Sequence, residues 1–147
     1  AAQNIGAGKY DRAKQTLRYA MMIAIGFGLV VSILIQFIAA PVVGLFTADA
    51  AVILLGAQYI RGYIWDCIFA GVHFSFSGYF CACGRSGISF LHNLIAILCV
   101  RIPGVYLTSK IFPHTLFPMG LATATGSLLS VIICIIAYRW LCEKSGK

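Results

Sequence analysis

The sequence predicts an all-α protein, a polytopic transmembrane helix bundle with four transmembrane helices, and three observations predict it. Hydrophobic residues make up 61% of the chain and charged residues 10%, with a mean hydropathy of +0.92, where a soluble domain carries about 25% charged residues. Apolar stretches recur at 20–40, 51–80, 88–111 and 121–141, each long enough to cross roughly 30 Å of hydrocarbon at about 1.5 Å per helical residue. Lysine and arginine gather at alternate ends of these stretches, the distribution that a multi-pass membrane protein shows.

Residues 1–19 form a basic lead-in. Ala1 to Gly8 is small and glycine-rich, and KYDRAKQTLR follows. Gly8-Lys9 invites a phosphate-loop reading, but Tyr10 stands where Ser or Thr is needed and Gln3 where the earlier Gly is needed, so that reading is rejected. Tyr10, Ala13 and Leu17 share one helical face, with Lys9, Asp11, Arg12, Lys14 and Arg18 around the rest. That pattern fits a short basic helix lying on a membrane surface, or a solvated helical lead-in. The start of the chain has no initiator Met and nothing like a cleavable signal peptide, and reads as a piece of something longer.

Residues 20–40 contain no charge and place Ala24, Gly28 and Ser32 on a small-xxx-small line, which lets a neighbouring backbone approach closely. Pro41 is expected to end or kink this helix, with a turn at Thr47-Ala48-Asp49 and Asp49 capping the next helix. The stretch 51–80 is apolar yet carries Arg61, Asp66 and His73. On one continuous helix Tyr59, Asp66 and His73 fall at i, i+7 and i+14, with Ser77 close to the same line. A carboxylate in hydrocarbon costs roughly 2.5–3.5 kcal/mol on insertion scales, so this stripe must face other helices or a wet cavity. It is either a structural ion pair or an ion or proton site, and Tyr63 joins Tyr59, Asp66, His73 and Arg101 as a candidate lining residue. Arg61 points about 140° away from Asp66 and is expected to reach the headgroups.

After the glycine turn Cys83-Gly84-Arg85-Ser86-Gly87, the third span at 88–111 contains Arg101-Ile102-Pro103-Gly104. Pro103 removes an amide donor and displaces the carbonyl of Cys99, so a kink or break is expected, serving either packing or a cavity beside Arg101. Counted from the span ends, Asp66 and Arg101 lie at nearly the same depth in a hydrocarbon core of roughly 30 Å, which allows a pair between them. Residues 110–118 form a turn with His114, and the fourth span at 121–141 carries Ala122, Gly126, Ser130 and Cys134 along one face. Residues 142–147 form a short tail.

The net charge of +7 is spread by topology rather than as a nucleic-acid face. Lys9, Arg12, Lys14, Arg18, Arg85, Arg139, Lys144 and Lys147 fall on one side, against Lys110 on the other. The positive-inside rule therefore predicts a multi-pass protein of the cell membrane with both ends of this chain cytoplasmic. The six cysteines lack zinc spacing and read as reduced packing residues, so no metal and no cofactor is expected. No Ser/His, Asp/Asp or HExxH arrangement supports an enzyme, and His73, His92 and His114, on separate elements, read as packing or interface residues. From the residues alone, a transporter, a channel piece and a small structural membrane subunit with a buried ion pair all remain open.

Gln3-Asn4-Ile5-Gly6-Ala7-Gly8 followed by Asp11-Arg12-Ala13-Lys14, then Leu45-Phe46-Thr47-Ala48-Asp49, Gly78 to Gly84 and Arg101-Ile102-Pro103, in this order and at these distances, resemble the multidrug and toxic compound extrusion (MATE) transporters. The resemblance covers nearly the whole chain, with Gln3, Asn4, Gly6, Gly8 and Arg12 carrying the family's cytoplasmic loop motif. It implies a pair of six-helix lobes around a cavity, exporting small organic cations or drugs against inward sodium or protons. This chain would then be helices nine to twelve, the last part of the second lobe. Its partners would be the lipid bilayer, the N-terminal lobe and two further helices of the same polypeptide. In some members an acidic residue on the tenth helix belongs to the cation site, and Asp66 lies on the matching helix.

Overall fold

The computed structural model describes residues 1–144, so the part of the expected tail from position 145 onward, Lys147 included, lies outside the described residues. Every regular element is a helix: α1 Ala2–Gly6, α2 Tyr10–Gly44, α3 Ala50–Tyr63, α4 Asp66–Ala82, α5 Ser86–Ala96, a π-helical turn Ile97–Arg101, α6 Ile102–Ile111 and α7 Phe117–Lys144. Three rods are long and apolar enough to cross a membrane: Tyr10–Gly44, Ser86–Ile111 and Phe117–Cys142.

The basic lead-in is not a separate surface helix. It is the first part of α2, 35 residues in one helix, or about 52 Å, so its charged turns extend past the apolar part of the same rod. Ala13 and Leu17 are buried with Phe76, Tyr79, Phe80 and Cys134, and Ile5, Cys83, Ile88, Tyr138 and Leu141 pack around them. Leu17 and Ala13 thus face protein rather than lipid. This cluster draws the start of α2, the α4–α5 turn and the end of α7 to one end of the bundle, the end that also carries Arg12, Arg18, Arg85 and Arg139.

Gly8 and Gly84 both have φ of 71°. Each follows a helix whose carbonyl, that of Asn4 or Phe80, accepts the amide of the residue after the glycine, Lys9 at 2.7 Å or Arg85 at 2.8 Å. These are left-handed C-terminal caps, a backbone conformation that glycine adopts without steric cost.

Pro41 does not end α2, which continues to Gly44. Asp49 caps α3 as expected, its Oδ1 accepting from the amides of Ala51 at 2.8 Å and Val52 at 3.4 Å. The stretch 51–80 is not one rod. It divides into α3, of 14 residues, and α4, of 17, at Ile64–Trp65. The division is tolerable because α2 supplies donors beside it. Ser32 Oγ donates to the Ile64 carbonyl at 3.2 Å and Gln36 Nε2 to the Arg61 carbonyl at 3.1 Å, satisfying backbone oxygens that lipid would leave bare. Arg61 Nε in turn donates to the Gln36 carbonyl at 3.1 Å. The expected reach of Arg61 to the headgroups is replaced by this contact within the protein.

The small-residue lines pack as expected. A Cβ on Gly28 would lie 3.1 Å from Ile68, and one on Gly71 would lie 2.8 Å from Ala24, so α2 and α4 meet along Ala24, Gly28 and Ser32. Gly62 of α3 and Gly120 of α7 bring two backbones together: a Cβ on the first would overlap the Phe117 carbonyl, and on the second the Tyr59 carbonyl. On α7, which starts at Phe117 rather than 121, Ala122, Gly126, Ser130 and Cys134 are buried.

Candidate functional site

Two polar clusters lie inside the apolar bundle. The first is built on two irregularities of the helices. Asp66 is the first residue of α4, just past the division at Ile64–Trp65, where the helix N-terminus favours a negative charge. It is 4% exposed. Arg101 ends the π-helical turn, in which the Ile102 amide reaches back to the Ile97 carbonyl. A five-residue step of this kind makes room for Pro103, whose ring crowds the carbonyl of Cys99 within the same turn. The expected kink is therefore a π turn inside one continuous rod.

Arg101 Nη2 lies 3.2 Å from both carboxylate oxygens of Asp66 and donates to Ser127 Oγ at 2.6 Å. The aliphatic part of Arg101 crosses α7 at Gly126, where a Cβ would overlap Cγ. The Arg101 side chain is 31% exposed and that of Asp66 only 6%. One nitrogen therefore holds a buried carboxylate, while the rest of the guanidinium is accessible.

The second cluster lies further along α4. His73, 2% exposed, meets His92 of α5, fully buried, edge-on with ring centroids 5.6 Å apart. His92 Nε2 is 2.9 Å from Ser77 Oγ, which is 2.7 Å from Ser89 Oγ. Ser130 Oγ donates to the His92 carbonyl at 3.4 Å. The histidines expected to lie on separate elements thus include two that meet. His114 is exposed in the turn before α7.

Among the residues singled out in the sequence, Asp66 and Arg101 are brought together, and His73 joins His92 instead of the ion pair. Tyr59 and Tyr63 stack on each other, centroids 5.7 Å apart, on α3, before the division that separates them from the helical phase of Asp66. Gln3, Gly6, Gly8 and Arg12 are exposed and Asn4 half-buried, at the basic end. Ser127 was not foreseen, although it follows Gly126 of the small-residue seam. Among the described residues no group of three His, Cys, Asp or Glu side chains is placed to hold a metal ion.

Comparison with known proteins agrees with this architecture. The family model described as MatE matches residues 1–107. A curated protein of Shewanella oneidensis named FAD transporter is 29% identical over 144 residues, covering 97% of this chain but 31% of its own length. The chain thus spans about a third of the length of that relative. No solved structure matches. Since the family model takes in well over half of the chain, including α2, the buried carboxylate and the π turn, the chain belongs to the MatE family of membrane transporters and is not an enzyme.

Proposed function

We propose that this chain is part of a secondary active efflux transporter that exports small organic cations or drugs in exchange for sodium or protons. In this reading α3 and α4 together act as one interrupted crossing, so that the chain crosses the cell membrane four times. Both ends are cytoplasmic, and the missing first lobe and two further helices supply the other walls of the cavity. The positive end formed by Arg12, Arg18, Arg85 and Arg139 supports that orientation. The carrying observation is the buried Asp66 carboxylate held by Arg101 Nη2 at 3.2 Å.

The chemistry follows from that pair. A carboxylate held away from water keeps its charge only while a cation is beside it. Arg101 fills that role here, and a sodium ion or proton would replace it when the half-exposed guanidinium swings aside. Charge neutrality is preserved at each step, which keeps the buried site inexpensive through the cycle. In the intact transporter, Asp66→Asn should abolish ion-coupled efflux at normal expression, and full efflux by that variant would end the coupling role.

A second reading concerns the cargo. The relative from Shewanella oneidensis is named for FAD, and the accessible part of Arg101 would suit an anionic dinucleotide. Efflux of FAD but not of a cationic dye from proteoliposomes holding the intact transporter would favour this cargo.

A further inference from the structure

We propose that His73 and His92 form a proton-binding site, separate from the Asp66–Arg101 pair, in which two facing imidazoles hold a single proton between them. The Nδ1 atoms of both rings are buried and take no hydrogen bond, and the rings themselves are 2% and 0% exposed. Leaving a buried polar atom unpaired costs roughly 1–3 kcal/mol, and a phenyl ring would fill either place without that cost. The rest of the cluster is well bonded: Ser89 to Ser77, Ser77 to His92 Nε2, Ser130 to the His92 carbonyl. Ser77 and Ser89 fix the His92 ring from its Nε2 side, which leaves Nδ1 as the position open to change.

The donor set decides the ligand. Two imidazole nitrogens without a third His, Cys, Asp or Glu grouped with them do not make a metal site among the described residues. A proton needs only two facing bases. It also needs its surroundings to tolerate one charge and refuse two. The pair meets this condition because two imidazolium rings with centroids 5.6 Å apart would repel strongly in a dry interior. The groups around the pair are few. Asp66 on the same helix supplies a negative charge, and Arg101 at the end of the π turn offsets it. From α7 come Ser127, Ser130 and, one turn on, the buried Cys134, with Tyr138 beyond it in the core cluster. From α2 no ionisable side chain occurs between Met21 and Gly44, and α1 contributes none. Occupancy of the pair thus depends on whether Arg101 remains on Asp66: moving Arg101 away removes one positive charge and frees one negative charge nearby.

This inference goes beyond the reading of Asp66 as the coupling carboxylate, and its test is independent of transport. The intact transporter, carrying nitrogen-15 histidine, is placed in lipid nanodiscs. Its imidazole nitrogens are followed by NMR between about pH 5 and 8, the range in which an unperturbed imidazole changes charge. We expect His73 and His92 to change together, with the uptake of a single proton by the pair, while the exposed His114 titrates on its own as an internal reference. His92→Gln should remove the change at His73, and His73→Gln the change at His92, with His114 unaltered and unfolding temperature measured on each variant to confirm the fold. The proposal is overturned if neither ring gains a proton in the folded protein, or if each titrates unchanged when the other is replaced. Loss of efflux in Asp66→Asn with an intact histidine response would support the coupling carboxylate and the histidine site separately.

Discussion

Gly126 on α7 is the residue over which the side chain of Arg101 passes on its way to Asp66: a Cβ at Gly126 would overlap Arg101 Cγ. The seam of small residues on α7 therefore does more than let helices approach. It supplies the groove in which the guanidinium reaches both Asp66 and Ser127.

Gly126→Ala should accordingly push Arg101 off its partners. Overpacking costs about 1–3 kcal/mol, partly offset by the roughly 0.5–1 kcal/mol by which Ala favours a helix over Gly. The measurement is thermal unfolding of the intact protein in detergent for Gly126→Ala alone and combined with Arg101→Gln. If the clash is the cause, the double variant loses less than the sum of the two singles. Full additivity would show that Gly126 does not act through Arg101.

The ion pair itself predicts an asymmetry. Asp66→Asn or Arg101→Leu leaves one charge buried without a partner, at about 3–5 kcal/mol, whereas replacing both should cost less. A double-mutant cycle on unfolding temperature measures this directly. Equal and additive losses would mean that the 3.2 Å contact contributes nothing to holding α4 against the π turn.

Much of this arrangement is legible in the sequence, for reasons that can be named. Asp49 as a helix cap, the Ala24-Gly28-Ser32 line and the seam on α7 follow from local chemistry and helical periodicity. The meeting of Asp66 and Arg101 follows from depth, since two charges at similar heights in a low-dielectric layer seek each other. The division of 51–80 at Ile64–Trp65 is not legible, because neither residue breaks helices. It depends on Ser32 and Gln36, some 30 residues earlier, meeting the exposed carbonyls. The contact of His73 with His92 depends on the rotation of α5 against α4, which sequence spacing does not specify. Arg61 was assigned to the headgroups for want of a visible partner, and that partner was a backbone carbonyl on α2.

The glycine contact of α3 with α7 gives a sharper test of packing. Gly62→Ala or Gly120→Ala would drive a Cβ into the facing backbone, which cannot rotate away as a side chain can, so a loss at the upper end of about 1–3 kcal/mol or beyond is expected. Gly78→Ala serves as the control, since nothing lies within 4 Å of its Cβ position. Fluorescence-detected size exclusion after graded heating should show the first two variants aggregating at lower temperature than the parent, with Gly78→Ala unchanged. Parent-like behaviour of Gly120→Ala would place α3 and α7 further apart than described.

The orientation of the bundle can be read through its thiols. Cys83 lies in the turn after α4, half-buried, and burial pushes its thiol above the ordinary value, outweighing the lowering by its hydrogen bond to Tyr79 and by Arg85. The thiolate is the reactive form, so a raised thiol holds less of it at neutral pH and reacts slowly, and faster as the pH rises. In a background otherwise free of cysteine, Cys83 should resist a membrane-impermeant maleimide on intact cells, since both the positive end and this turn are placed in the cytoplasm. Opening the membrane should expose it to labelling that accelerates with alkaline pH. Asp49→Cys, at the far end of α2, should label on intact cells without permeabilisation. Labelling of Cys83 but not of position 49 on intact cells would invert the orientation, and with it the direction from which a driving ion reaches Asp66.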